Sequence, residues 1–442
     1  MSTMVSAAPR GVGTDLVAGS TKLLFRPLHL MVSAPSLLFL FTMGLMLFRP
    51  PDYRFHSYDR YAFVLLLLVI GLRICLTKAR IQLGSPIFWP MIALLGLCLA
   101  DTLTQPYDPE PWSILASKWL VPFGLYCAAG YAFRDSAALR RFEIFSLAVL
   151  AYLSVIAILF MVGAKQLIFP RYILDESLGI HADRARGPFL QAVANGLALN
   201  LLGVLALDSF RRGRLRGVPA LLLGVTVPLA VAATRTRAVW LSFGASILLI
   251  GFFSSSRRLR RACLFLALAS TVGLISFVVL SDHHRSLSDR LAESGPVKFR
   301  VAVYEAGWEM FRKKPLAGWG AVAMQNELTE RISEFHQEQY YFHNTYLEIL
   351  VQYGLVGLAL YAWLIVGLFR LGGEHCAVYS PNSYFLDAGF RSIWPVLLVV
   401  YLVNASFVVM NYQFVNGFLF SIAGMLAGQN RRGAEELANA AG

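Results

Sequence analysis

Long apolar blocks without a single charge recur along this chain and limit its fold more than any other feature. Residues 62–70, 92–100 and 264–280 are examples. A helix needs roughly 20 apolar residues to cross a hydrocarbon core, and blocks approaching that length return throughout the sequence. Hydrophobic residues make up 57% of the 442 positions and charged ones only 15%. An average soluble domain carries about a quarter charged residues, so too few are present here to coat a water-exposed surface. These numbers exclude soluble enzymes, disulfide-stapled secreted domains and disordered chains. They describe an all-α polytopic membrane protein.

Apolar runs bounded by charge or by Pro and Gly predict about twelve transmembrane helices, with about eleven as the alternative because two spans are short. Their centres lie near Phe39, Leu67, Leu94, Leu125, Val155, Leu201, Val225, Ile247, Val272, Leu358, Leu398 and Phe418. The net charge of +13 would suggest nucleic acid in a soluble protein. In a membrane protein it is first a topology signal, so no nucleic-acid partner is expected. With a cytoplasmic N-terminus, Arg73/Lys78/Arg80, Arg134/Arg140/Arg141, Arg211/Arg212/Arg214/Arg216, Arg257/Arg258/Arg260/Arg261 and Arg431/Arg432 all fall on the cytoplasmic side. Arg49, Arg54 and Arg60 run against that pattern. The five cysteines are single, with no metal spacing, and read as packing residues. Residues 1–20 show no signal-peptide pattern, so the first span is expected to remain as an anchor. The expected organisation is helices one to nine over residues 1–280, a large external cap over 281–342, three helices over 343–428 and a cytoplasmic tail over 429–442. Within the cap, Val301, Tyr304, Trp308 and Phe311 recur at helical steps, which predicts an amphipathic helix at the membrane surface.

Several basic residues on the external face are not explained by topology. Arg184 and Arg186 precede the sixth span, Arg235 and Arg237 fill a short connection, Arg300 opens the cap helix, and Lys118 sits near the outer end of the fourth span. Arg235 can also snorkel to phospholipid headgroups, and Lys118 can pair with Asp101 or Glu110. A cation at the membrane edge is costly and usually has a partner. Several guanidinium groups on one face suit phosphate oxygens, which points to a lipid phosphate or diphosphate. His343 and Asn344 stand where the polar cap meets the tenth helix. The positive end of a helix dipole favours a neutral imidazole, the form a general base needs; capping the helix or binding a headgroup is the alternative role. His283, His284 and His336 lack supporting neighbours. Asp108-Pro109-Glu110 is the nearest approach to a magnesium site and is a poor one, and no metal or cofactor site is expected.

The segment His343-Asn344, nine residues, Gly354, two residues, Gly357 resembles the His-Asn/Ser/Gln-x9-Gly-x-x-Gly signature of bacterial O-antigen ligases. Arg300 with Trp308, Pro315 and Gly318-x-Gly320 is similar to the family's Arg…Trp…Pro-x-x-Gly-x-Gly segment. Arg237-Ala-Val-Trp240 is similar to its Ser-Arg-Gly-x-Trp segment, with Thr236 and Ala238 replacing the serine and glycine. Arg184-Ala-Arg-Gly187 is similar to its Arg-x-x-Gly segment, although Asn195 lacks the usual preceding proline. The resemblance implies a GT-C-like glycosyltransferase with a helical periplasmic cap in the bacterial inner membrane. It implies an undecaprenyl-diphosphate-linked O-antigen as donor and lipid A–core as acceptor, with membrane lipids around the chain and no cofactor. His343 would be the general base and Arg237 and Arg300 would hold the diphosphate. Arg184 or Arg186, Arg235, Lys118 and Asn344 would help to bind substrate. An O-antigen polymerase or a protein O-oligosaccharyltransferase would use the same donor, and a lipid or sugar transporter is a more distant alternative.

Overall fold

The computed structural model describes residues 34–49, 57–77, 84–179, 181–254, 256–280, 295–332, 340–374 and 385–441. Most of the N-terminal segment, the first part of the cap, Arg54, Lys78, Arg80, Cys376, His283, His284 and His336 lie outside them. Within the described residues all regular structure is helical. The helices are α1 (Pro35–Leu47), α2 (Tyr58–Thr77), α3 (Phe88–Leu103), α4 (Pro109–Leu115), α5 (Val121–Ala132), α6 (Ser136–Met161), α7 (Ala192–Arg211) and α8 (Gly217–Ala233). They continue as α9 (Arg237–Phe253), α10 (Arg257–Leu280), α11 (Gly295–Lys313), α12 (Ala321–Arg331), α13 (Thr345–Glu374), α14 (Trp394–Ala405) and α15 (Gln413–Ala441). A π-helical turn, Ala116–Leu120, joins α4 to α5.

Each expected span centre falls inside one of these helices. Five stretches are long and apolar enough to cross a membrane: Tyr58–Thr77, Ser136–Met161, Ala192–Arg211, Thr345–Gly373 and Ala388–Ala405. Four further apolar helices, α1, α3, α8 and α9, are shorter. Helices satisfy their own backbone polar groups, which is what hydrocarbon demands. Leu68, Leu72 and Leu76 on α2 and Leu241, Leu248 and Phe252 on α9 face outward, as lipid-facing side chains do.

The span of α7 is 78% buried and that of α2 only 28%, so α7 is central and α2 peripheral. Close approach of α15 to α5 rests on small residues. A Cβ at Gly424 would lie 2.1 Å from the Tyr126 carbonyl oxygen, and one at Gly417 would lie 2.7 Å from Leu125 Cδ1. An aromatic series runs through this core. Phe39–Phe133, Phe133–Phe142, Phe142–Phe418, Phe418–Phe414 and Phe414–Phe189 have ring centroids 5.0, 5.4, 5.5, 6.1 and 5.8 Å apart. It reaches the turn Gly187–Phe189, next to Arg186.

The cap has a small core of its own, built from Val303, Ala306 and Met310 of α11, Met324 and Leu328 of α12, Tyr340, Phe342 and Val351. The buried face of α11 is therefore not the Val301/Tyr304/Trp308/Phe311 stripe expected from the sequence. Tyr304 and Phe311 flank the core, while Val301 and Trp308 are exposed. The stripe is displaced because Phe342 and Val351, distant in sequence, decide which face is covered.

Two basic sites are embedded: Arg49, which runs against the topology pattern, and Arg211 with Arg212, expected only to anchor it. Arg49 pairs with fully buried Asp59 at 3.2 Å, and Gln413 donates to the same carboxylate at 2.8 Å. Arg211 donates to Asp208 at 2.9 Å and to Asp387 at 3.0 Å, while Arg212 reaches Asp208 at 2.9 Å and Glu143 at 2.7 Å. That network ties α6, α7 and the turn before α14 together at one end of the bundle.

Candidate active site

The chain between α6 and α7 is fixed from within. Arg186 has no solvent exposure, and its guanidinium donates to the backbone carbonyls of Ile173 (3.0 Å), Leu178 (2.5 Å) and Asp175. Asn195, near the start of α7, donates to the Ala185 carbonyl at 2.9 Å. Gly187 takes φ +56° against that asparagine, where a Cβ would lie 2.5 Å from Asn195 Oδ1. The Arg-Ala-Arg-Gly segment and Asn195 thus form one unit. Arg186 is its internal tie, and Arg184 lies nearer the surface.

Two hydrogen bonds carry this unit to its neighbours. The Ala185 amide donates to Ala233 at the end of α8, and the Arg184 amide donates to the His181 carbonyl, at 3.3 and 3.1 Å. The next connection is also constrained: Thr234 Oγ1 donates to Val231 at 2.7 Å, Thr236 Oγ1 to Thr234 at 2.9 Å, and the Trp240 indole to Val231 at 3.0 Å. It presents half-buried Arg235 and exposed Arg237, the first residue of α9.

At the start of α13 the cap is made by Asn344, whose Oδ1 accepts from the amides of Tyr346 and Leu347 at 3.0 and 3.1 Å. This satisfies two of the orphan amides of a helix start, so His343 does not cap the helix. Thr345 fixes the same end by donating to Val408 at 2.7 Å and accepting from Met410 at 3.0 Å. The His343 ring stands edge-on to Phe299, 6.4 Å between centroids. Burial, then the positive charge of Arg300, then His181 hold the His343 pKa below the usual histidine value. A neutral imidazole next to a guanidinium follows. Arg300 is exposed and makes no ion pair with any described residue.

Backbone strain gathers here too. His181, Arg235 and His343 have φ of +54°, +49° and +50°, a left-handed conformation unfavourable for side-chain-bearing residues. Such conformations persist where the surroundings impose them and cluster at functional sites.

Lys118 is buried, and its Nζ lies 2.5 Å from Glu348 Oε2, one turn into α13. Neither Asp101 nor Glu110, the partners considered from the sequence, holds it. Asp101 instead accepts from the Ala321 amide at 3.0 Å, capping α12, while Asp108 caps α4 by accepting from Glu110 at 3.0 Å. Lys118 projects from the π-helical turn, a local irregularity often found at functional sites.

The glycines of the cap and of α13 lock into one another. Gly354 leaves helical geometry with φ +64° and ψ −160°, which frees backbone groups inside α13. The segment Pro315–Gly320 takes them up. Trp319 and Gly320 amides donate to Val351 and Gln352 (3.1 and 2.9 Å), and Leu355 and Val356 amides donate to Pro315 and Leu316 (2.8 and 3.3 Å). A Cβ at Gly354 would lie 2.2 Å from the Leu316 carbonyl oxygen and one at Gly318 2.4 Å from that of Gln352. Only glycine allows this approach. Non-helical backbone at membrane depth is tolerated only where protein covers it, and here the cap does so.

The structure therefore brings His343, Arg300 and His181 together. It places Arg184 beside the Arg235–Arg237 connection and assigns Arg186, Asn344 and Lys118 to contacts within the protein. His181, Asn195, Glu348 and Asp101 were not singled out from the sequence as site residues. Only His181 carried a usable signal, its place in the same short loop as Arg184.

Residues 219–362, from α8 into α13, match the family model described as O-antigen ligase. The match covers about a third of the chain, and over those residues the chain is similar to that family. No curated protein matches it. The matched stretch contains Arg235, Arg237, Arg300, His343 and the interlocked glycines. The match supports an enzyme of ligase or polymerase type, and the apolar helices point to a membrane protein.

Proposed function

We propose that the chain is an O-antigen ligase that moves O-antigen from undecaprenyl diphosphate to lipid A–core at the periplasmic face of the bacterial inner membrane. The carrying observation is the half-buried His343, held toward neutrality by its burial and by the Arg300 charge. In this reading the chain crosses the membrane about twelve times in a GT-C-like arrangement with both termini cytoplasmic. The cap spans 281–342, between helices over 1–280 and 343–428, and 429–442 is the tail.

His343 accepts the proton of the attacking acceptor hydroxyl. The new bond forms between that oxygen and the anomeric carbon, and the bond from the anomeric carbon to the diphosphate breaks. The diphosphate leaves with the electron pair, and Arg237 and Arg300 stabilise its charge. Arg184 and Arg235 extend the positive surface toward the donor. Arg186, Lys118 and Asn344 hold the loop and the α13 start in place. The geometry supports Arg184 over Arg186 as the donor contact, because each of the three Arg186 guanidinium nitrogens already donates to a carbonyl and the side chain has no solvent exposure.

The test is reconstitution of the purified protein with lipid-linked glycan and core lipid, without nucleotide. A banding shift on the core lipid supports the ligase. Lengthening of the lipid-linked glycan with no core-lipid product would show a polymerase instead.

A further inference from the structure

The end of the bundle opposite His343 holds a cavity of about 730 Å³ between α7, α8, α9 and α10. Ligand sites run roughly 300–1,000 Å³, so the space takes a drug-sized molecule or part of a lipid's acyl chains. Its floor is apolar and built from small residues such as Gly203, Ala206 and Gly224, and no acidic residue lines it. A Cβ added at Gly224 would meet nothing closer than Phe265, at 3.6 Å. Arg257, Arg258 and Arg261 line the same cavity and are exposed, so they stand at its mouth. None of the three makes an ion pair with a described carboxylate, and Arg258 stacks on Phe210 at 4.4 Å. Like charges at i, i+3 and i, i+4 on one helix repel, a cost that an anion at the mouth would offset.

Topology alone asks for positive charge near a membrane surface, but not for an apolar void of this size behind it. The diphosphate of the donor belongs to the other end, since α8 has 17 residues, about 25 Å of helix between the two ends. Basic pockets between membrane helices recognise anionic headgroups. We propose that this cavity holds one anionic glycerophospholipid of the leaflet opposite the active site, with its acyl chains between α7, α8 and α10. Its phosphate rests on Arg257, Arg258 and Arg261. The choice of leaflet and the exclusion of the donor lipid rest on the ligase reading, whereas the cavity and its arginines do not.

Native mass spectrometry of the full chain, equilibrated with equal phosphatidylglycerol and phosphatidylcholine, tests it. The expected result is one retained phosphatidylglycerol per chain, in clear preference to phosphatidylcholine. R257Q/R258Q/R261Q should bind it about a hundredfold more weakly, since each arginine near an anionic surface contributes about 1 kcal/mol. Should that variant not fold, R261Q should still weaken binding about fivefold. Gly224→Trp keeps the charges and fills the cavity, and it should lose the retained lipid. Equal retention of both lipids by the wild type would overturn the proposal. So would full retention in Gly224→Trp, which would mean surface attraction only, or displacement of phosphatidylglycerol by undecaprenyl phosphate, which would give the cavity to the donor lipid.

Discussion

At the end of the bundle away from His343, Arg211 and Arg212 are enclosed by Asp208, Asp387 and Glu143. At the His343 end, the Arg300 charge acts to keep a histidine unprotonated, and Arg184, Arg235 and Arg237 stand on two further connections. Both ends are rich in guanidinium groups, so residue type does not separate them. What separates them is what the guanidinium meets. Surrounded by carboxylates it ties helices together, and held beside an imidazole it leaves a positive surface for an incoming anion. Buried ion pairs are kept intact because removing one partner strands a charge, whereas a site for an anionic substrate must leave cations to be satisfied on binding.

Substitutions at the two ends should separate these roles. The largest expected effect is His343→Ala, which should cut ligation by about 10²- to 10⁴-fold, the usual contribution of a positioned base. Protein level and donor lipid should be unchanged, as read from core-lipid banding and immunoblots. Asp208→Asn at the other end should do the reverse. It should lower the thermal transition by removing the carboxylate that two arginines share, while folded protein keeps its ligation rate. The cost is at most about 3–5 kcal/mol, since Arg211 keeps Asp387 and Arg212 keeps Glu143.

Gly354→Ala should destabilise by about 1–3 kcal/mol from backbone strain alone, and more through its clash with Leu316. Proteolysis should show the cap released first. Lys118→Met should be rescued in part by Glu348→Leu in the same chain, since a buried pair replaced together by apolar groups is often tolerated. A double-mutant cycle in thermal stability measures that coupling, and additive losses would show the two residues to be independent.

Much of the helical framework was legible in the sequence because apolar run length follows directly from bilayer thickness. Every expected centre, from Phe39 to Phe418, lies in a helix. The site was legible in its residue types and only partly in its roles. Arg186 looks like its neighbour Arg184 in a sequence, because the carbonyls that occupy it belong to the backbone and leave no side-chain signature. Lys118 and Glu348 are separated by 230 positions, so their pairing is a fact of packing. Gly354 and Gly357 stand out in the sequence only through the spacing of the His343–Gly357 segment, and the break at Gly354 becomes visible only when Pro315–Gly320 is seen filling it. The cap stripe was misplaced for the same reason, since residues far along the chain cover Val303 and Met310.

The most direct test of the account is the pH dependence of ligation by the reconstituted protein, compared between wild type and Arg300→Gln. His343 must be unprotonated to accept the hydroxyl proton, so activity should fall only on the acid side. For the wild type that fall should lie below about 6.5, the ordinary histidine value. Removing the Arg300 charge removes one cause of the depression, so the acid limb of the residual activity should move upward in pH. A wild-type profile flat through the histidine range with no response to Arg300→Gln would contradict the assignment of His343 as the base.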